Sequence, residues 1–102
     1  MLKNEIIATL LEHRAEFEAA GVEHLSLFGS VARNEATAES DIDVLVKLSD
    51  PVIFSGFGYF STLASLKERI EQITGKNVDI ISEPIKKERF RLNVERDRVV
   101  AF

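Results

Sequence analysis

Phe28-Gly29-Ser30-Val31-Ala32-Arg33, a polar spacer, and then Ser40-Asp41-Ile42-Asp43-Val44-Leu45-Val46 form the stretch on which the reading of this chain turns. The segment from Glu23 to Phe28 has a strand pattern that stops abruptly at Gly29-Ser30. Val31-Ala32-Arg33 then opens a short helical turn that Ser30 can cap. Asn34 to Ser40 reads as loop, and Asp41 to Val46 as a second strand rich in β-branched residues. Alternate residues of a strand share a face and lie roughly 7 Å apart, so Asp41 and Asp43 should project together while Ile42 and Val44 turn to the core.

Working outward, the spacing of Ile6, Ile7, Leu10, Leu11 and Phe17 predicts a helix from about Asn4 to Ala19, capped by Asn4 and ended by Gly21. Ser49-Asp50-Pro51 closes the second strand with a turn. Residues 52–58 read as a loop whose aromatic side chains fold back on the core. A long helix from Tyr59 to Thr74 should bury Phe60, Leu63, Ala64, Ile70 and Ile73, with Gly75 as its stop. Asn77 to Ile81 reads as a third strand, Ser82-Glu83-Pro84 as the start of a helix running from Ile85 to about Asn93, and Val99 to Phe102 as a short edge strand. Repeats and linkers are absent, so the order α-β-α-β-α-β-α-(β) describes one compact α/β domain over residues 1–102: a small mixed sheet of three to four strands packed with about three main helices.

Composition narrows the function. The 102 residues carry a net charge of −4, are 45% hydrophobic and 29% charged, and hold no cysteine and two histidines. That length leaves no room for a separate substrate domain. Without cysteine there is no disulfide framework and no thiolate chemistry, which fits a reducing cytoplasm. No apolar run approaches the roughly 20 residues that span a bilayer, and Met1-Leu2-Lys3-Asn4-Glu5 lacks the plan of a signal peptide. A soluble, cytoplasmic protein without a membrane partner is the expectation. The charge is also uneven: residues 1–51 hold 4 Lys/Arg against 10 Asp/Glu, and residues 52–102 hold 9 against 7. An acidic front half disfavours direct nucleic-acid binding, which needs a basic surface, and suits a site that gathers cations.

Three features converge on one chemistry. Gly29-Ser30 sits at a strand-to-helix turn, Asp41 and Asp43 open the next strand, and Asp79 interrupts the apolar third strand between Val78 and Ile80. Carboxylates brought close together repel unless cations neutralise them. Hard oxygen ligands select Mg²⁺ or Mn²⁺, and two such ions about 4 Å apart activate an attacking oxygen and stabilise a leaving one in phosphoryl or nucleotidyl transfer. Gly29-Ser30 offers the phosphates a place where the backbone can come close and amide donors point outward. Arg33, one turn on, can add a charge-assisted contact to the same phosphates.

With these residues in hand, the chain resembles the DNA polymerase β-type nucleotidyltransferase superfamily. Its short length and the downstream Lys76-Asn77-Val78-Asp79-Ile80-Ile81 make it similar to the minimal nucleotidyltransferases, many of which are antitoxins of HEPN-domain ribonuclease toxins. Asn34 stands where glycine is common in such sequences, and asparagine tolerates a left-handed backbone. The resemblance implies that Gly29 and Ser30 hold the nucleoside triphosphate and that Asp41 and Asp43 ligate two Mg²⁺ ions. It implies that Asp79, the third carboxylate, helps hold metal and acts as general base. The implied reaction is transfer of AMP from ATP to a hydroxyl, with pyrophosphate released. The implied acceptor is a tyrosine of a HEPN-type toxin, silenced when adenylylated.

Two other readings fit the same residues: an antitoxin that neutralises its partner by binding alone, and a nucleotidyltransferase acting on a small alcohol such as an aminoglycoside, its pocket built in a homodimer. His13 and His24 read as surface residues without a catalytic role. Lys86, Lys87, Arg89, Arg91, Arg96 and Arg98, offset by Glu88, Glu95 and Asp97, read as a solvated helix face. Phe54, Phe57, Tyr59 and Phe60 read as core or as a partner-facing patch rather than a base-stacking platform.

Overall fold

A four-stranded mixed sheet organises the chain, seen here in a computed structural model that describes residues 2–102. Strands β1 (Val22–Phe28), β2 (Ile42–Leu48), β3 (Val78–Ser82) and β4 (Val99–Val100) lie in the order β3-β2-β1-β4. β1 pairs antiparallel with β2 and β4, while β2 and β3 run parallel. A parallel pair needs a long crossover. Here it is supplied by α4 (Asp50–Ile53) and α5 (Phe57–Thr74). The remaining helices are α1 (Lys3–Glu12), α2 (Arg14–Ala19), α3 (Gly29–Ala32) and α6 (Glu88–Asp97).

The period of two along the strands divides the core. Ile42, Val44, Val46 and Leu48 of β2, with Leu25 and Leu27 of β1 and Val78 of β3, face Ile6 and Leu10 of α1, Phe17 of α2, and Leu66 and Ile70 of α5. The intervening residues face the other way: Phe28 and Leu45, with Ile81 and Ile85, pack under Val94 of α6. Ser26, fully buried on β1, accepts a hydrogen bond from Arg98 Nε (2.9 Å), and Arg98 also pairs with Glu83 (2.9 Å) and Glu95 (3.3 Å).

Several boundaries differ from the sequence reading for identifiable reasons. The first helix is broken at His13, and its N-cap is Leu2 rather than Asn4, with the Leu2 N–H donating to Glu5 Oε1 (3.2 Å). Asp50-Pro51 begins a helical turn, with proline in the first turn where its missing N–H costs nothing. On α5 the buried stripe runs through Leu66, Ile70 and Thr74, flanked by the part-buried Tyr59, Leu63 and Ile73, so Phe60 and Ala64 face solvent. Phe54, Phe57 and Phe60 are exposed, whereas Tyr59 turns inward and pairs its hydroxyl with that of Ser82. The final helix starts at Glu88, not at Ile85, because Glu83 N–H still donates to Val46 O (2.9 Å) and its carboxylate is held by Arg98. The closing segment pairs as expected, carried past β4 by Leu25 N–H donating to Phe102 O (3.1 Å). No described helix is long and apolar enough to cross a membrane.

Across the α2–α5 packing, Arg69 grips Glu16 through both guanidinium edges, Nε to Oε2 at 2.7 Å and Nη2 to Oε1 at 3.1 Å. The Arg69 hydrogen bond holds the Glu16 carboxyl below its ordinary value of 4.5. A lowered folded-state value gives stability that is present above pH 4.5 and lost as pH falls through the folded value. Glu16→Gln is therefore expected to melt below the wild type at pH 6 and to converge with it under acid. Thermal melts across that range check this, and parallel curves for the two proteins would contradict it.

Candidate active site

The site is built where β1 ends, β2 begins and β3 begins. In the sheet register Phe28 lies opposite Asp43, and Asp43 lies opposite Asp79. Asp43 and Asp79 thus occupy neighbouring strands at one end of the sheet face that α6 covers farther along. Asp41 is the exposed residue immediately before β2, with Ile42 fixed behind it by donating its N–H to Asn77 O (2.9 Å).

Gly29 turns the chain out of β1 into α3 with φ of +72°, in the left-handed region. It also lies directly against Asp43: a methyl group at Gly29 would overlap Asp43 Oδ2 and stand 3.1 Å from its Cγ. Only glycine meets both demands. Ser30 follows in the first turn of α3, where its carbonyl accepts the Glu35 N–H (2.8 Å). No side-chain cap of α3 forms, so the cap is the backbone of Phe28. Asn34 adopts φ of +60°, the conformation that its place in the motif suggested.

Electrostatics set Asp43 apart. Burial pushes its carboxyl above the ordinary 3.8, and the charges of Asp79 and Asp41 push it the same way, against an opposing pull from Arg33. Among the described residues no three His, Cys, Asp or Glu side chains converge into a metal cage. The donor chemistry still fits a hard divalent cation, because Mg²⁺ is usually held by one or two carboxylates and completed by substrate phosphates and water. The mutual repulsion felt at Asp43 is what such a cation would relieve.

Arg33 is held by two carboxylates. Its Nε donates to Glu35 (2.9 Å) and its Nη1 to Asp97 (2.8 Å), which ties α3 to the end of α6. Asp97, read from sequence only as part of a solvated helix face, is a tenth exposed; a contact across 64 positions leaves no local pattern. His13 pairs with Glu16 (3.5 Å) far from the acids, and His24 lies exposed on β1.

The residues 7–101 match the family described as nucleotidyltransferase domain. The chain belongs to that family. Among relatives of this nucleotidyltransferase, protein adenylyltransferase MntA of Thermococcus cleftensis is 31% identical over 96 residues, covering 93% of this chain and 91% of that one. A Methanocaldococcus jannaschii protein provisionally named a protein adenylyltransferase is 37% identical over 92 residues, covering 86% and 85%. A solved structure provisionally described as a minimal nucleotidyltransferase superposes with a TM-score of 0.74 at 30% identity, covering 97% of this chain and 95% of that one. A toxin–antitoxin crystal structure with AMP-PNP shares the fold, with a TM-score of 0.62 at 18% identity over all of this chain and 73% of that one. The expected fold and family are thereby met, and the chain is a nucleotidyltransferase.

Proposed function

We propose that this nucleotidyltransferase moves AMP from ATP to a hydroxyl of a partner protein, a HEPN-type toxin silenced through a tyrosine, and so acts as its antitoxin. The observation that carries this reading is the register of Asp43 beside Asp79, with Gly29 pressed against Asp43. Gly29, read as the triphosphate turn, lies against one member of that acid pair. Relatives named protein adenylyltransferase and the AMP-PNP toxin–antitoxin structure support the nucleotide and the kind of partner.

In this reading Gly29 and Ser30 seat the triphosphate, and Asp41, Asp43 and Asp79 would hold Mg²⁺, which when bound would supply Lewis-acid polarisation of the phosphate and neutralise developing charge. Asp79, exposed at the rim, takes the proton of the incoming hydroxyl. The hydroxyl oxygen bonds to the α-phosphorus while the bond from that phosphorus to the α–β bridging oxygen breaks. Pyrophosphate leaves with the electron pair. Arg33, held by Asp97 and Glu35, contributes positive charge that favours the ionised form of Asp43. Asp41 and Asp79 are exposed, which leaves the site open for the folded partner to complete.

Chelation gives a direct test. Transfer of labelled AMP to the product of the neighbouring reading frame should stop when divalent cations are removed and return with Mg²⁺ or Mn²⁺. Transfer that continues in excess chelator would overturn the metal assignment.

A further inference from the structure

A cavity of about 240 Å³ opens between the Gly29 turn and α6, and no role above uses it. Phe28, Gly29 and Arg33 line it from the end of β1 and α3, and Phe90, Asn93 and Asp97 from α6. The two phenylalanines meet edge to face, ring centroids 6.1 Å apart at 77°, and Phe90 keeps 41% of its surface exposed. Asn93 adds an amide with both donor and acceptor capacity. Asp97 accepts from Arg33 (2.8 Å), which ties α6 to α3, and from its neighbour Arg96 (3.3 Å).

We propose that this cavity binds the nucleobase of the nucleotide, with Phe90 as its stacking surface and Asn93 reading its hydrogen-bonding edge. The inference rests on the nucleotidyl-transfer reading above and deepens it. Gly29 belongs both to the triphosphate turn and to the cavity wall, so a ligand with its phosphates at that turn has its next group at the cavity mouth. The volume is below the roughly 300–1,000 Å³ of a whole drug-sized pocket and suits one ring system. An exposed aromatic face beside an amide matches a flat heterocycle with polar edges, since base stacking on aromatic side chains is favourable for any base. A base held there would give this nucleotidyltransferase a nucleotide preference.

Calorimetric titration with Mg²⁺-ATP and with Mg²⁺-tripolyphosphate, which lacks a base, tests the assignment. The wild type should bind ATP more tightly than tripolyphosphate. Phe90→Leu, which keeps the apolar packing on Phe28 but not the ring, should weaken ATP about tenfold and leave tripolyphosphate unchanged. Phe90→Trp should retain ATP binding, and Asn93→Asp should change the ratio of ATP to GTP affinity. Equal affinity of the wild type for ATP and tripolyphosphate would overturn the base site while leaving the transfer reading in place. Equal weakening of both ligands by Phe90→Leu would make Phe90 merely structural, and unchanged ATP binding with slower transfer would give the cavity to the acceptor ring. Either result overturns the proposal. A wild type that binds neither ligand removes the transfer reading itself.

Discussion

Asp43→Asn is expected to lower AMP transfer about a thousandfold while the protein melts at or above the wild-type temperature. The two effects have one origin. Asp43 is part-buried, stands in register with Asp79, and feels the charge of Asp41, so its carboxyl is raised by burial first and by these neighbours next. An acid whose folded value is raised binds its proton more tightly in the folded protein than in the unfolded chain. Its ionised form therefore destabilises the fold at neutral pH, and that cost disappears as pH falls below the unfolded value. Asparagine has the same shape without the charge. In the proposed transfer reaction the same carboxylate would help hold the cation, and losing about 4 kcal/mol of transition-state stabilisation corresponds to the expected thousandfold. Melts followed by circular dichroism, with label transfer measured in parallel, separate the two effects. A variant that unfolds would place Asp43 in the structural framework, and one that transfers at the wild-type rate would remove it from the chemistry.

Gly29→Ala is expected to damage stability and activity together. With φ of +72° an alanine there sits in the left-handed region, which costs roughly 1–2 kcal/mol, and its methyl group overlaps Asp43 Oδ2. For a domain of this size that is a melting temperature lower by about 5–15 °C. Asp43 must swing aside to accept the methyl, and a displacement of the order of 1 Å in a catalytic group can cost about a hundredfold in rate. A double-mutant cycle with Asp43→Ala isolates the collision from the backbone strain. In the Asp43→Ala background Gly29→Ala should cost less stability, with only the left-handed conformation left to oppose it. Strict additivity would mean that the two residues do not press on each other.

What could be read from the chain beforehand divides along physical lines. The strands and the turn at Gly29-Ser30 were legible because period-two alternation and glycine are local signals. Asp43 facing away from the Ile42–Val44 side follows from the same alternation, and both of those residues are fully buried. Asp79 lying opposite Asp43 is a matter of register between strands joined by a long crossover, and sequence could only suggest it. The helix phases were less secure. Phe60 and Ala64 looked as inward-facing as Leu63 and Ile70, yet the stripe that meets the sheet passes through Leu66, Ile70 and Thr74. The break at His13 has no glycine or proline to announce it. Least legible was the fate of Arg33, whose partner Asp97 lies on a helix at the other end of the chain. An arginine one turn after Gly29 suggested a phosphate ligand, and nothing local announced that its guanidinium also joins α3 to α6. The cavity between Phe28 and Phe90 depends on that same joint and was equally hidden.

The central claim is that the chain modifies a partner protein rather than only binding it. The measurement that bears on it most directly is the intact mass of the neighbouring reading frame's product after incubation with this protein, ATP and Mg²⁺. The wild type should add the mass of one AMP, located on a tyrosine by fragmentation, and Asp41→Asn combined with Asp43→Asn should add none. An unmodified partner that forms a stable complex with the wild type, or a mass gain that persists with the double variant, would contradict it.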